Sequence, residues 1–318
     1  MTGAPEIMPL RVQAVRYEAD GVLSYELIRP DGATLPPFVA GAHIDLHLPN
    51  GLIRSYSVSS DQQDLSRYVI GVSRDADSRG GSIWIHENVR PGDLVQATGP
   101  TNDFPLREDA ERSVLIAGGI GITPILAMVR RLRVLERDWT LHYAVQSRDR
   151  AAFLEELARL AADRLRLHAD DEHGGSPPDI AQIVAEAPAG SHLYCCGPTP
   201  MLAAFEEAAA EIPADRRHVE HFSNDIEPAD GGFEVELIES GITIKVGKGE
   251  SILQALTDAG VDAPFSCSEG ICGTCETRVI AGVPVHRDLV LSDQEKETGD
   301  VMMICCSGSK TARLVLER

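Results

Sequence analysis

The sequence predicts a multidomain chain: an antiparallel β-barrel, an α/β doubly wound domain, and a small α+β domain built around a cysteine loop. Three observations carry that prediction. Short strand-like runs punctuated by Gly, Pro, Asn and Asp fill residues 10–106. A continuous apolar run, Ser113–Ala117, leads directly into a glycine loop and a helix. All seven cysteines, at 195, 196, 267, 272, 275, 305 and 306, stand in the second half of the chain. At 318 residues there is chain enough for two or three cores, and 43% hydrophobic with 25% charged residues excludes collagenous, disordered and disulfide-rich classes.

In the first region, strands are predicted at Arg11–Tyr17, Tyr25–Ile28, Ile44–Leu48, Ile53–Ser57, Tyr68–Val72 and Leu94–Thr98, with a short helix at Ser82–Asn88. The stretch from His43 to Leu48 alternates polar and apolar residues, as a half-buried antiparallel strand does, and the number of runs favours a small barrel. Two clusters here carry chemistry. In Arg54-Ser55-Tyr56-Ser57 the strand period puts a cation and an aromatic ring on one face, able to line one pocket. In Arg79-Gly80-Gly81-Ser82, just ahead of the helix, free backbone N–H groups and the helix dipole can hold a phosphate.

The second region opens with Ser113–Ala117 as a buried parallel strand, followed by Gly118-Gly119-Ile120-Gly121-Ile122-Thr123-Pro124. A helix bearing Ile125, Leu126, Met128, Val129 and Leu132 comes next, then a strand at Thr140–Val145. This βαβ unit places its loop at the crevice where doubly wound sheets bind nucleotides. The loop departs from G-x-G-x-x-G at Pro124, a residue well suited to a first helical position. Alternation continues through a helix at Ala151–Ala161, a strand at Leu165–His168, a helix at Asp179–Glu186 and a strand at His192–Tyr194, ending on Cys195-Cys196-Gly197-Pro198. By itself a cysteine there reads as a small buried hydrophobe. After Asn224 an acidic, Pro- and Gly-bearing stretch up to Gly232 reads as a linker.

The third region predicts a hairpin, Phe233–Ile238 with Ile242–Val246, and a Ser251-capped helix ending near Gly260. Strands follow at Thr277–Ile280, Val301–Ile304 and Leu314–Leu316. Between them Cys267, Cys272 and Cys275 form C-x4-C-x2-C with a distant fourth thiol, the ligand spacing of a plant-type [2Fe-2S] cluster. Gly270 and Gly273 let the loop wrap closely and aim amide N–H groups at sulfur. Structural zinc usually pairs two short Cys or His units, and only one stands here. The fourth ligand is Cys305 or Cys306.

Taken together, Arg54-Ser55-Tyr56-Ser57 and Gly80-Gly81-Ser82 inside a barrel resemble the flavin domain of the ferredoxin reductase superfamily. That resemblance implies Tyr56 and Ser57 at the flavin ring and Arg54, Gly80, Gly81 and Ser82 near its phosphate, with residues 102–106 as the exit from the barrel. The loop G-G-x-G-x-T-P resembles the superfamily's pyridine-nucleotide loop, which implies Gly119, Gly121, Thr123 and Pro124 at the pyrophosphate. Cys196-Gly197-Pro198 resembles its nicotinamide-side motif, and Phe222 the aromatic residue covering the flavin face. Ser57, Cys196 and Phe222 are thereby the implied catalytic positions, and Cys196, Gly197 and Phe222 also flank the bound cofactors. Ile304-Cys305-Cys306-Ser307 resembles the closing Ile-Cys-x-Ser motif of the ferredoxin fold, which favours Cys305 as fourth ligand, as does the opposite side-chain direction expected for the next strand position.

Over essentially the whole chain the order resembles the phthalate dioxygenase reductase and vanillate demethylase reductase family. The implied layout is an FMN-binding β-barrel at 1–108, an NAD-binding α/β domain at 109–225, a linker at 226–232 and a ferredoxin-like (β-grasp) [2Fe-2S] domain at 233–318. The implied cofactors are FMN, NADH and a [2Fe-2S] cluster. NADH gives up two electrons as a hydride whereas the cluster takes one at a time, and a flavin between them converts one regime to the other. Ser147-Arg148-Asp149-Arg150 offers cations to a 2′-phosphate, but the interleaved Asp149 and the family's variation favour NADH. The expected partner is a terminal oxygenase component of Rieske type acting on an aromatic or related organic acid. The alternatives are electron supply to a cytochrome P450 and a non-catalytic redox-sensing or zinc-binding interaction protein.

A formal charge of −20 disfavours nucleic acid and anionic membrane surfaces while allowing a basic-faced protein partner. No apolar run approaches the roughly 20 residues of a membrane helix, and the start Met1-Thr2-Gly3-Ala4-Pro5-Glu6 lacks a secretory pattern, so a cytoplasmic monomer is expected.

Overall fold

The structure, a computed structural model, describes residues 7–75, 80–222 and 231–318. Two compact units divide it, one running to Phe222 and the other from Ser223. The first unit begins with β1 (Met8–Ala19), β2 (Val22–Ile28), β3 (His43–His47), β4 (Ile53–Ser57), β5 (Tyr68–Ser73), helix α1 (Gly81–Asn88) and β6 (Leu94–Thr101). These strands form one antiparallel sheet in the order β4-β3-β6-β1-β2-β5. An isolated bridge from Val58 to Ile70 ties the two edge strands together, closing the sheet as a barrel. Its interior holds Leu10, Val12, Tyr25, Leu27, Ile44 and Ile70, all essentially inaccessible.

The α/β part follows: β7 (Arg112–Gly118), α2 (Ile122–Val134), β8 (Asp138–Val145), α3 (Leu154–Ala161), β9 (Leu165–Ala169), α4 (Ile180–Ala185), β10 (His192–Cys196), α5 (Thr199–Ala208) and β11 (Arg217–Glu220). Its five strands are all parallel, ordered β11-β10-β7-β8-β9. Every residue of β7 after Arg112 is buried, as covering by helices on both faces requires. Helix α3 starts at Leu154, three residues later than the predicted Ala151, because Arg148–Arg150 forms a short 3-10 turn and Phe153 takes a left-handed conformation, φ 59°.

Barrel and α/β sheet share one core: Ala19, Val22, Ala40 and Phe104 pack in the same cluster as Leu115, Ile122, Leu141 and Tyr194. Phe104 meets Tyr194 edge to face at 5.8 Å, and the Tyr194 hydroxyl accepts the Arg107 N–H at 2.8 Å. This shared burial makes residues up to Phe222 one compact unit.

The second unit contains β12 (Phe233–Leu237), β13 (Ile242–Val246), α6 (Ile252–Asp258), β14 (Glu276–Ala281), β15 (Pro284–Val285), α7 (Asp293–Thr298), β16 (Val301–Met303), β17 (Gly308–Ser309) and β18 (Arg313–Leu316). The main sheet is mixed, β13-β12-β18-β14-β16, with β12 and β18 parallel and the other pairs antiparallel, while β15 and β17 form a small ribbon. Ser251 caps α6 by accepting the Gln254 N–H, as its sequence predicts. Helix α7, absent from the predicted elements, is set by a full capping box between Ser292 and Glu295 and closes on Gly299 at φ 67°.

Candidate functional site

Helix starts in this chain fall into two classes. Helices α4, α6 and α7 are capped by the side chains of Asp179, Ser251 and Ser292. As at Pro198 before α5, helices α1 and α2 begin at Gly80 and Gly121 with no side-chain cap; the Ile122 N–H donates back to the Gly119 carbonyl, and the other first-turn N–H groups of α1 and α2 can meet an outside acceptor. These are the two loops where the sequence places phosphates.

At the first, Gly80 adopts φ 89°, which turns the chain into α1. Arg54, reaching across from β4, lies against Gly81 so closely that a Cβ there would stand 2.8 Å from its Cγ and Nε. The guanidinium meanwhile donates to the Ile53 carbonyl at 2.8 Å. A cation thus lies over an uncapped helix start, a cradle whose charge and donors fit a phosphate group. Next along β4, Tyr56 packs against the barrel core, and burial raises its phenol well above the ordinary value, while Ser57 is buried at the strand end. Ser55 is turned to β3, where its hydroxyl donates to Asp45 at 2.6 Å. Ser82 accepts the Asp75 N–H at 3.3 Å. Arg79, the remaining member of this cluster, lies outside the described residues.

At the second loop, Gly119 has φ 52° and Gly121 leads into α2. A Cβ on Gly121 would fall 2.1 Å from the Cys196 carbonyl oxygen and 2.9 Å from the Gly197 nitrogen. A Cβ on Gly197 would in turn meet Gly118 Cα at 3.1 Å and Met201 Sδ at 2.8 Å. The structure therefore brings together the glycine loop and Cys196-Gly197, over seventy positions apart in the chain, through backbone contact that only glycine permits. Thr123 donates to the Ile120 carbonyl at 3.0 Å and presses its methyl toward Gly71 of the barrel, and Pro124 is buried in the first turn of α2.

Cys196 is wholly buried and its thiol points to the Glu220 carboxyl at 3.8 Å, across the β10–β11 register pair. Burial pushes the thiol well above its usual range. Burial also lifts Glu220 to about 8, helped by Asp103, so both groups are protonated at neutral pH. Glu220 is the residue that sequence reasoning missed: it precedes Phe222 by two positions, but only the parallel register puts it beside Cys196. Phe222 itself stands 37% exposed at the end of this strand, an aromatic face available to a ring system. A cavity of about 330 Å³ lined by Gln13, Glu26, Arg29 and Arg67 includes none of these residues.

In the second unit, the thiols of Cys267, Cys272, Cys275 and Cys305 meet pairwise: Cys267 with Cys272 and Cys305, and Cys275 with Cys305, which also touches Cys306. Ser268, Gly270 and Gly273 all take left-handed conformations, φ 57°, 70° and 76°, which wrap the loop around its sulfurs. The Glu269 N–H donates to the Cys267 sulfur at 3.3 Å, and the Ile271 amide does likewise. Hydrogen bonds from the neighbouring thiols draw Cys267 far down, and the same contacts push Cys272 and Cys305 up. The Cys305 thiol likewise draws Cys275 down, so Cys267 and Cys275 lean toward thiolate while Cys272 and Cys305 hold their protons until a cation compensates. Among the described residues no three His, Cys, Asp or Glu side chains close on a single metal position. Four thiols linked in pairs, with amide donors, fit a donor set spread over two irons.

Of that set Cys306 touches Cys305; it also faces the Met303 carbonyl at 3.8 Å and lies where a Cβ on Gly270 would fall 2.5 Å away. Strand β16 ends at Met303, so Cys305 and Cys306 belong to a turn and are separated by turn geometry instead of by strand alternation. Sequence reading also passed over Asp288, a wholly buried carboxylate under the loop that accepts the Leu291 N–H at 2.8 Å, while the Leu289 N–H donates to Gly270 at 2.9 Å.

Comparison with known proteins matches the two regions that carry the second glycine loop and the cysteine loop. Residues 235–309 match the 2Fe-2S iron-sulfur cluster binding domain, and residues 115–207 the oxidoreductase NAD-binding domain. Over its full length the chain is 53% identical to phenoxybenzoate dioxygenase subunit beta of Ectopseudomonas oleovorans, covering 100% of both. It is 45% identical to vanillate O-demethylase oxidoreductase of a Pseudomonas strain, covering 96% of this chain and 98% of that one. Among solved structures it resembles phthalate dioxygenase reductase, described as a modular structure for electron transfer from pyridine nucleotides to [2Fe-2S], with TM-score 0.81, 37% identity and 98% of each chain covered.

Proposed function

Because this chain belongs to the family of phthalate dioxygenase reductase and vanillate O-demethylase oxidoreductase, we propose that it draws electrons from NADH through FMN into its [2Fe-2S] domain and delivers them to a Rieske-type oxygenase acting on an aromatic or related organic acid. Membership makes it an oxidoreductase, the reductase component of a multicomponent oxygenase system. FMN, when bound, supplies the conversion between hydride transfer and single-electron steps.

The observation that carries the reading is the pair of uncapped glycine starts, one under Arg54 and one against Cys196-Gly197. Arg54, Gly80, Gly81 and Ser82 would hold the flavin phosphate, with Tyr56 and Ser57 beside the ring and Phe222 on its face. Gly119, Gly121, Thr123 and Pro124 would hold the pyrophosphate. Cys196 and Gly197 would border the nicotinamide, with the protonated Glu220 carboxyl behind the Cys196 thiol. Cys267, Cys272, Cys275 and Cys305 ligate the cluster. Supporting Cys305 are its thiol contacts with both Cys267 and Cys275, while Cys306 lies against Gly270. The functional modules follow residues 1–108, 109–225 and 233–318, joined by 226–232. No helix among the described residues is long and apolar enough to cross a membrane, and we place the protein in the cytoplasm as a monomer.

Purified, reconstituted protein should release FMN on denaturation, contain iron, and reduce cytochrome c with NADH. Absence of flavin, or cytochrome c left unreduced, would falsify the assignment. Oxygen uptake with candidate acceptors then separates a Rieske oxygenase from a cytochrome P450 as recipient.

A further inference from the structure

The five strands of the α/β sheet are parallel, so all their C-terminal ends open on one edge. The glycine loop follows the central strand β7, and Cys196-Gly197 ends β10 on one side of it. A dinucleotide spanning that loop with its nicotinamide at β10 must lay its adenosine over the ends of β8 and β9. Two short turns stand there, Arg148–Arg150 after β8 and Asp170–His173 after β9, following the register pair Val145 and Ala169. The Asp171 N–H donates to the Gln146 carbonyl at 3.1 Å and ties the turns together.

Within them Arg148 Nε and Nη2 donate to the two carboxylate oxygens of Glu172, at 2.5 and 3.1 Å. The guanidinium fork is thus matched to a carboxylate as it would be to a phosphate. Both partners stay accessible, with side chains 57% and 44% exposed. Arg150 turns instead to the Gln146 side-chain oxygen at 2.9 Å. Asp149, Asp170, Asp171 and Glu172 set four carboxylates against these two guanidiniums. A ribose 2′-hydroxyl needs only an acceptor, which such a rim supplies. A 2′-phosphate needs a free guanidinium, and it would have to displace Glu172 to gain one.

We propose that the Arg148–Glu172 pair determines pyridine-nucleotide specificity, Glu172 occupying the cation that would otherwise admit the 2′-phosphate of NADPH. This rests on the reading that a pyridine nucleotide binds at the glycine loop. Glu172 is a specificity residue acting through Arg148, and its removal converts an acidic rim into a phosphate site.

The test uses the full-length protein loaded with flavin and cluster, comparing cytochrome c reduction by NADH and NADPH in wild type, Glu172→Gln, Arg148→Gln and the double variant. Inhibition by 2′,5′-ADP is measured alongside. Glu172→Gln should raise the NADPH/NADH ratio of kcat/KM and tighten 2′,5′-ADP binding, each about two- to fivefold, the scale of one exposed charge pair. Both gains should vanish in the double variant, a coupling that general loss of negative charge would not produce. An unchanged ratio in Glu172→Gln that retains flavin and cluster absorbance would overturn the proposal. So would gains that survive loss of Arg148, which would point to Arg150. Wild-type protein oxidising neither nucleotide would instead overturn the functional reading on which the proposal rests.

Discussion

Cys196 and Cys267 are the same side chain in opposite electrostatic settings. Cys196 ends a parallel strand with no exposed surface, faces a protonated Glu220, and is pushed to the neutral form by burial. Cys267 is nearly as buried, yet amide and thiol hydrogen bonds converge on its sulfur and draw its proton off. Burial alone therefore does not decide what a cysteine does. The direction of the surrounding dipoles decides it: β10 and β11 spend their backbone donors on the sheet ladder, whereas left-handed residues in the cysteine loop turn amides inward.

The largest expected effect sharpens the loop side of this contrast. Cys305→Ser should abolish the visible absorbance of the cluster and most of the bound iron, while Cys306→Ser should keep both. Iron analysis and absorbance of the two purified variants check it, and the opposite pattern would transfer the ligand role to Cys306. Next in size is reactivity. In iron-stripped protein at pH 7, iodoacetamide should label thiols of the 267–275 loop, where Cys272 is partly exposed, at least about 100-fold faster than Cys195 or Cys196. Peptide mapping reads this directly, and equal rates would mean that the two settings do not differ in thiolate content.

On the nucleotide side, Gly121→Ala would force a methyl group into the Cys196 carbonyl, a backbone atom with nowhere to go. We expect about 2–3 kcal/mol of lost stability in the first unit and weaker NADH binding, measured by urea unfolding and by nucleotide titration. Gly51→Ala makes a useful contrast. Its site has nothing within 4 Å, so only the cost of its own positive φ should appear there.

The smallest predicted effect concerns Glu220. Its folded pKa, about 8, lies above the unfolded value near 4.5. The stability linked to its bound proton is therefore complete below about pH 4.5 and is lost as pH rises toward 8. Because the residue keeps some solvent contact, we expect a loss of only about 1–2 kcal/mol across that window. Glu220→Gln should flatten it, as seen in urea midpoints at pH 5 and pH 8, and an unchanged pH slope in the variant would locate the titration elsewhere.

Much of this molecule is legible in one dimension because its chemistry is local. The spacing of Cys267, Cys272 and Cys275, the alternation after His43, and the glycines opening α1 and α2 are properties of short segments, and backbone rules act over the same range. Helix α7 was equally local, its capping box standing in Ser292–Glu295, but with no buried residues on the helix there was no apolar periodicity to expose it.

What only the tertiary structure decided involves partners that are distant in sequence. Glu220 meets Cys196 through parallel register, Arg54 lies over Gly81 through barrel closure, and the Cys306 sulfur lies against Gly270, where a side chain would collide with it. The sequence alone determined which cofactor chemistry the chain can house, since that depends on residue types at short spacing. Packing determined the protonation state of each thiol and carboxyl, because desolvation and hydrogen bonding depend on which distant groups are brought within a few ångströms.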